Sequence, residues 1–175
     1  MTKNKKHLAD HIRSIPDFPK PGILFRDVTT LFKDKKAFKK AVASLADKYK
    51  GKGIDKVVAI EARGFILGGA VADRLGAGFI PVRKKGKLPA STHAVTYDLE
   101  YGTDTLEIHQ DAIARGENVI IIDDLLATGG TAKAVTDLLK QLGAKIKGIA
   151  FLVELTDLKG KDKLKGAPVH SLIKY

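Results

Sequence analysis

At 175 residues the chain is long enough for one domain with a single sizeable core, and its 44% apolar and 6% aromatic content is an ordinary globular balance. It has no cysteine, which excludes disulfides and thiolate metal sites and fits a reducing compartment. The formal net charge of +11 is scattered through KNKK, KDKKAFKK, KYKGKGIDK, RKKGK and KGKDKLKG without a zinc-finger, RNP or basic-zipper pattern, so it reads as solvated helix faces and turns rather than as a nucleic-acid groove.

The opening MTKNKKHLADHIRSIPDF lacks the apolar core of a signal peptide, and no run approaches a membrane span. A cytoplasmic protein without a membrane partner is the expectation. In chain order, residues 2–14 are predicted helical, as are 35–50, where Phe38, Val42 and Leu45 recur on one side. Between them Pro16, Pro19 and Pro21 make the segment irregular at its start. KVVAIE (56–61) is a buried strand, and GFILGGAVADRLG is a small-residue helix stopped by Gly76. GFIPV (78–82) is a second short strand, followed by the basic loop RKKGKLPA. Alternation on both sides of Gly102 predicts an extended hairpin over 92–109. NVIIID (118–123) is a fully buried strand, and TAKAVTDLLKQLG (131–143) an amphipathic helix ending at Gly143. IKGIAFLVEL (146–155) is another buried strand and VHSLIKY a terminal one. Apolar strands alternating with helices predict a single α/β domain over residues 1–175, Rossmann-like, its mostly parallel sheet covered by helices on both faces. The N-terminal segment and the 84–109 excursion are additions to that layout.

The string VIIIDDLLATGGT (119–131) concentrates the chemistry. In open α/β sheets, ligands sit beyond the carboxyl ends of the strands, where strand hands over to helix. Here a buried strand ends on Asp123 and Asp124, a tight loop of small residues from Ala127 follows, and Thr131 opens the next helix. Backbone N–H groups at that helix start, with the hydroxyls of Thr128 and Thr131, can converge on one anion. Gly129 and Gly130 let the backbone close around it. Two carboxylates beside a phosphate would repel it, so they need a different partner, and the vicinal hydroxyls of a ribose fit. The string therefore predicts a ribose 5-phosphate site. A Walker loop is excluded, because no Lys precedes the final Thr, and the glycines of RGFILGGAVADRLG lack dinucleotide spacing.

VIIIDDLLATGGT closely resembles the phosphoribosyl diphosphate signature of the type I phosphoribosyltransferases, and its double Leu resembles the adenine phosphoribosyltransferase branch. PKPGILFRDVTTL (19–31), EARGF (61–65), VRKKGKLP (82–89) and YDLEYGTDTLEIH (97–109) resemble that branch too, in the same order. The likeness runs from about residue 10 through FLVELTDLKG. It implies that fold, with an N-terminal hood over about residues 1–34 and a flexible catalytic hairpin loop over about 84–109. The implied reaction is purine salvage, adenine plus 5-phosphoribosyl 1-diphosphate giving AMP and diphosphate. Magnesium would enter on the diphosphate and be held mostly by substrate and water, since no metal cage of the protein's own is visible.

The resemblance also implies roles. Arg63 would hold the departing diphosphate, with Lys84 and Lys87 adding charge. Glu100, on a loop closing over the base, would manage the N7 proton, with Tyr101 beside it. Backbone groups near Leu24 and Arg26 would read adenine, with Phe25 and Leu125 on the two faces of its ring. A cis peptide at Glu61–Ala62 and a homodimer are implied as well. EAR differs from what some members carry before the Arg, so within that loop only Arg63 is carried over. Two rival readings remain at this stage. A ligand sensor that binds nucleic acid would suit the basic charge, but the chain has no room for an added helix-turn-helix domain and a sensor has no need of the Glu100 loop. A transferase for 6-oxopurines or orotate would differ only in the base pocket.

Overall fold

The hood comes first along the chain, and it departs most from the sequence reading. The computed structural model describes residues 7–98 and 102–175. Over the described part of 2–14 there is no α-helix: Leu8–His11 form one 3-10 turn, and β1 (Arg13–Ile15) pairs antiparallel with β2 (Phe25–Asp27). Long-range partners override the local helical pattern. Asp27 accepts from Arg13 Nε at 3.2 Å, while the Thr29 hydroxyl and N–H donate to its other oxygen at 2.6 and 3.0 Å. The Arg13 N–H donates to Thr30 Oγ1 at 3.1 Å, and that hydroxyl donates to the His11 carbonyl at 2.7 Å. The hydrogen bonds from Thr29 and then Arg13 outweigh burial and hold the Asp27 carboxyl at about 2.

A short α1 (Thr29–Phe32) leads into α2 (Lys35–Asp47), which starts where Asp34 accepts from the N–H groups of Lys36 and Ala37, both at 2.9 Å. The remaining elements are β3 (Lys56–Ile60), α3 (Arg63–Leu75), β4 (Gly78–Lys84), β5 (Thr92–Asp98), β6 (Thr103–His109), β7 (Asn118–Leu126), α4 (Gly130–Gln141), β8 (Lys145–Glu154) and β9 (Val169–Lys174). The main sheet runs β5-β6-β4-β3-β7-β8-β9, parallel except where β5 and β6 enter antiparallel. This is the expected mostly parallel sheet with helices on both faces. α2 and α3 cover one face through Leu45, Leu67 and Val71 against Val57, Ile120 and Ile122. α4 covers the other through Val135, Leu138 and Leu139 against Val58, Ile121 and Phe151.

Two strands run further than the sequence indicated. β4 extends from the expected end at Val82 to Lys84, because Arg83 and Lys84 pair with Glu107 and Leu106 of β6. The head of the basic segment is therefore strand rather than loop. β7 continues past its acids to Leu126, held by Leu125 and Leu126 against Val153 and Glu154 of β8.

The topology creates one crevice. From β3 the chain turns to α3 on one face and continues to β4 on one side; from β7 it turns to α4 on the other face and continues to β8 on the opposite side. The carboxyl ends of β3 and β7 are adjacent, and the connections leave them in opposite directions, which opens a ligand-sized gap there.

α3 lies so close to β3 that a Cβ on Gly68 would stand 2.4 Å from the Ala59 Cβ. In a solvent-facing helix Gly→Ala gains about 1 kcal/mol. Here the neighbour is an alanine stub that cannot swing aside, so overpacking outweighs that gain. Gly68→Ala is expected to lower unfolding free energy by about 1–2 kcal/mol, read from urea denaturation. A more stable variant would mean that α3 can withdraw freely from the sheet.

Candidate active site

At the crevice three distant parts of the chain meet. β3 ends at Ile60, the Glu61–Ala62 peptide is cis as the resemblance implied, and α3 begins at Arg63. The next residue, Gly64, is pressed on the end of β7: a Cβ there would lie 2.7 Å from Asp123 Oδ1. Arg63 Nε donates to Asp124 Oδ2 at 2.5 Å, with the carboxylate 8% exposed and the guanidinium 42%. From the hood, the Phe25 ring lies 5.7 Å from the Arg63 guanidinium carbon and packs edge-on against Phe18. Residues 25, 63 and 124 thus share one site.

Beyond the acids, β7 gives way to the small-residue loop and α4 starts at Gly130. Asp123, Leu125, Ala127, Thr128, Gly129 and Thr131 line a cavity of about 90 Å³. At roughly 30 Å³ per water, that is room for about three waters, the scale of a phosphate group rather than of a nucleotide. The first N–H groups of a helix have no intrahelical partner, so an anion seated there is bound by them and by the helix dipole. Two neighbours close the cradle. The Thr131 hydroxyl lies 3.3 Å from the Tyr97 hydroxyl, and a Cβ on Gly130 would stand 3.4 Å from the Asp98 carbonyl oxygen, so the end of β5 leans on the loop. Behind it, Gly160 is in such close contact that a Cβ there would stand 2.1 Å from the Ala127 carbonyl oxygen. A Cβ on Gly129, whose φ is +80°, would stand 2.3 Å from the Gly160 carbonyl oxygen.

That buttress was missed. In the sequence Gly160 sits inside KGKDKLKG, which reads as a solvated basic turn. Only the contact between loops far apart in the chain gives it a role, and no local signal carries that.

The charges are arranged in pairs. Loss of solvent, and then the charge of Asp124, push the Asp123 carboxyl well above the ordinary range. The Asp104 carboxylate, hydrogen-bonded to Lys84 at 3.1 Å, raises the Lys84 ammonium. Burial pushes Glu61 up, but hydrogen bonds from Lys87 and the Lys84 N–H outweigh it and leave the group below its usual value. Each cation expected at the diphosphate therefore already faces a carboxylate: Arg63 with Asp124, Lys84 with Asp104, Lys87 with Glu61.

The remaining sequence candidates fall as follows. Leu24 is 48% exposed at the hood edge beside Phe25, and Leu125 is partly buried and lines the phosphate-sized cavity. The Arg26 side chain is turned elsewhere, its guanidinium carbon 3.8 Å from the centre of the Tyr175 ring and its Nη1 donating to Ser14 Oγ. Glu100 and Tyr101 lie outside the described residues; Asp98 and Gly102 flank that segment. Among the described residues no group of three or more His, Cys, Asp or Glu is placed to hold a metal, and no helix is long and apolar enough to cross a membrane.

A sheet of this topology, with an Arg and an acid pair at its switch point and a small-residue anion loop, matches known proteins throughout. The phosphoribosyl transferase domain matches residues 29–170. The chain is 58% identical to the adenine phosphoribosyltransferase of Acidobacterium capsulatum over 98% of its own length and 95% of that protein. It superposes on the crystal structure of adenine phosphoribosyltransferase from Thermoanaerobacter pseudethanolicus with a TM-score of 0.92 at 53% identity, covering 96% of this chain and 98% of that one. With the Saccharomyces cerevisiae enzyme, crystallised with an imino-altritol bisphosphate and adenine, the TM-score is 0.89 at 43% identity, covering 94% of this chain and 96% of that one. The chain belongs to the phosphoribosyl transferase family, and within it to the adenine phosphoribosyltransferases.

The Gly160 contact is open to a direct test. Gly160→Ala should push loop 127–131 off its position, because its Cβ would overlap the Ala127 carbonyl oxygen, and weaken binding of ribose 5-phosphate by about tenfold or more, the scale of one or two hydrogen bonds lost to the anion. Affinity for adenine, which the resemblance assigns to the N-terminal segment, should change little. Calorimetric titration with each ligand separates the two, and an unchanged ribose 5-phosphate affinity would remove Gly160 from the cradle.

Proposed function

We propose that this site transfers the 5-phosphoribosyl group of 5-phosphoribosyl 1-diphosphate to N9 of adenine, giving AMP and diphosphate, a purine-salvage reaction. The observation that carries the reading is the meeting, at one switch point, of Arg63, the Asp123–Asp124 pair and the loop 127–131. These are the three attachments that a phosphorylated sugar diphosphate needs.

The 5-phosphate goes to the cavity under α4, bound by backbone N–H groups of residues 127–131 and the hydroxyls of Thr128 and Thr131. Asp123 and Asp124 accept from the ribose hydroxyls at the end of β7. The raised Asp123 carboxyl and its buried neighbour are a poor place for a second anion, so the acids orient the sugar while the phosphates sit on either side of them. Arg63, with Lys84 and Lys87, takes the diphosphate. As the C1–O bond breaks, negative charge grows on the leaving group and positive charge on the sugar, so cations at one end and carboxylates near the ribose both favour the transition state over the ground state. The net charge of +11 raises the local concentration of such an anionic substrate. When bound, magnesium supplies further neutralisation of the diphosphate, held by the diphosphate itself and water.

Adenine is placed between Phe25 of the hood and Leu125 at the end of β7, read by a carbonyl near Leu24 and the Arg26 N–H. Glu100 and Tyr101 complete the reading on the strength of the family resemblance, Glu100 handling the N7 proton as N9 attacks. A homodimer belongs to this proposal: Ile66 of α3 and Phe79 of β4 are 47% and 37% exposed, and Phe65 packs edge-on against Phe79, an apolar face suited to a second copy. So does a cytoplasmic location, where a phosphorylated sugar donor is available without crossing a membrane.

Two measurements test the reading. Purified protein should form AMP from adenine, the sugar diphosphate and magnesium, with hypoxanthine and guanine at least about a hundredfold worse in kcat/KM, because a 6-oxopurine reverses donor and acceptor against fixed backbone groups. Equal turnover of a 6-oxopurine would overturn the hood assignment and leave the phosphoribosyl half standing. Changing Asp123 and Asp124 together to Asn should leave the circular dichroism spectrum unchanged while reducing both turnover and affinity for the sugar diphosphate. If kinetics are unaffected, the acids do not touch the ribose.

A further inference from the structure

One carboxylate at the crevice has no part in the reaction as proposed. Glu61 leaves the end of β3 two residues before Arg63, and its side chain is 8% exposed. Its Oε2 accepts from the Lys84 N–H at 2.9 Å and from Arg83 Nε at 3.3 Å, while Oε1 accepts from Lys87 Nζ at 2.5 Å. Three contacts from one basic segment, Arg83 to Lys87, thus converge on a single buried acid.

The segment is also held without Glu61. Lys84 to Lys87 close a turn in which the Lys87 N–H donates to the Lys84 carbonyl at 3.2 Å, and Gly86, with φ +77°, takes the third position that such a turn reserves for glycine. The Gly86 N–H donates to Glu107 at 2.9 Å, and Arg83 Nη1 donates to the Lys87 carbonyl at 3.0 Å. The turn therefore keeps its place through its backbone. The Lys87 ammonium, on a side chain 48% exposed, is the contact free to exchange. If it leaves, Glu61 remains bonded to the Lys84 N–H and Arg83, so its charge is not stranded.

We propose that Glu61 is a positioning residue that serves as a built-in counter-anion: it holds Lys87 over the strand end in the empty site and competes with the diphosphate for it. The inference rests on the assignment of Lys87 to the diphosphate made above. Binding the leaving group through Lys87 requires breaking the ion pair with Glu61, and release of the product lets the pair re-form. The carboxylate thereby limits how tightly the product is retained, which matters where product release sets turnover.

The test is calorimetric titration of magnesium pyrophosphate into the full-length protein and its variants, alongside steady-state kinetics. Glu61→Gln keeps the shape and an acceptor for the Lys84 N–H while removing the charge. It should bind pyrophosphate roughly three- to tenfold more tightly, the scale of one partly exposed ion pair. Its kcat should fall as product is retained, with ribose 5-phosphate affinity unchanged. Glu61→Asp, which draws the charge back from Lys87 by one methylene, should shift pyrophosphate affinity in the same direction by less, and it decides the matter if the Gln variant does not fold. Lys87→Ala should bind pyrophosphate more weakly, and adding Glu61→Gln to it should then change nothing further. If Lys87→Ala binds pyrophosphate like the parent, the diphosphate assignment of Lys87 fails. If Lys87→Ala weakens binding but Glu61→Gln leaves it equal or weaker, the counter-anion role is wrong and Glu61 is a structural anchor alone.

Discussion

The side-by-side ending of β3 and β7 is the constraint on which the site depends. Parallel pairing brings Val57, Val58 and Ala59 opposite Ile120, Ile121 and Ile122, so the two chains reach the same edge of the sheet together. The helices that follow must cover opposite faces, since each face needs an apolar partner. The connections therefore part, and the gap between them is bounded by the first residue of α3 and the last residues of β7. Gly64 shows how little slack exists there, since even a methyl group would press on Asp123. An Arg that begins one helix and an acid that ends the neighbouring strand are brought within hydrogen-bond reach by backbone geometry before any side chain chooses a rotamer.

The electrostatics follow from that closeness. The crevice gathers several cations, and unbalanced cations beside low-dielectric walls repel one another and resist folding. Here Arg63, Lys84 and Lys87 are each met by an acid from a different element: the end of β7, the start of β6 and the exit of β3. The acids themselves are mostly buried while the cations are partly exposed. The arrangement keeps the carboxylates fixed and leaves the positive ends able to reorient toward a substrate.

The hood shows a second way of assembling a site. Its two short strands contribute little core of their own; the Arg13–Asp27–Thr29 cluster binds them to each other, and Arg26 lies over Tyr175 of the main body. This anchoring sets Phe25 beside Arg63 while leaving Leu24 exposed. Leu8, Ile12, Val28 and Leu31, buried together with Leu45 of α2 and Leu67 of α3, hold the segment against the main body.

The sequence by itself determined the elements whose periodicity is strong and whose burial is complete. KVVAIE, NVIIID and IKGIAFLVEL are continuous apolar runs that no solvent-facing structure would tolerate, and they became β3, β7 and β8. The turn from β7 into α4 was legible for a related reason, because acids, small residues and a helix start occur within one unbroken stretch. What the local pattern could not contain was decided by tertiary contact. Residues 2–14 carry a helical pattern, yet their described part yields a 3-10 turn and the start of a strand, because Asp27 and Thr30 supply hydrogen bonds that a short isolated helix cannot match. Arg83 and Lys84 read as loop and became strand once β6 lay beside them. Gly160 and Glu61 carry no local mark of the contacts they make. One lies against a loop some thirty residues earlier, and a basic turn from the next strand folds back onto the other. Periodicity and composition report what a segment needs from solvent, whereas a site is made of what segments need from one another, and that is settled only when the sheet has closed.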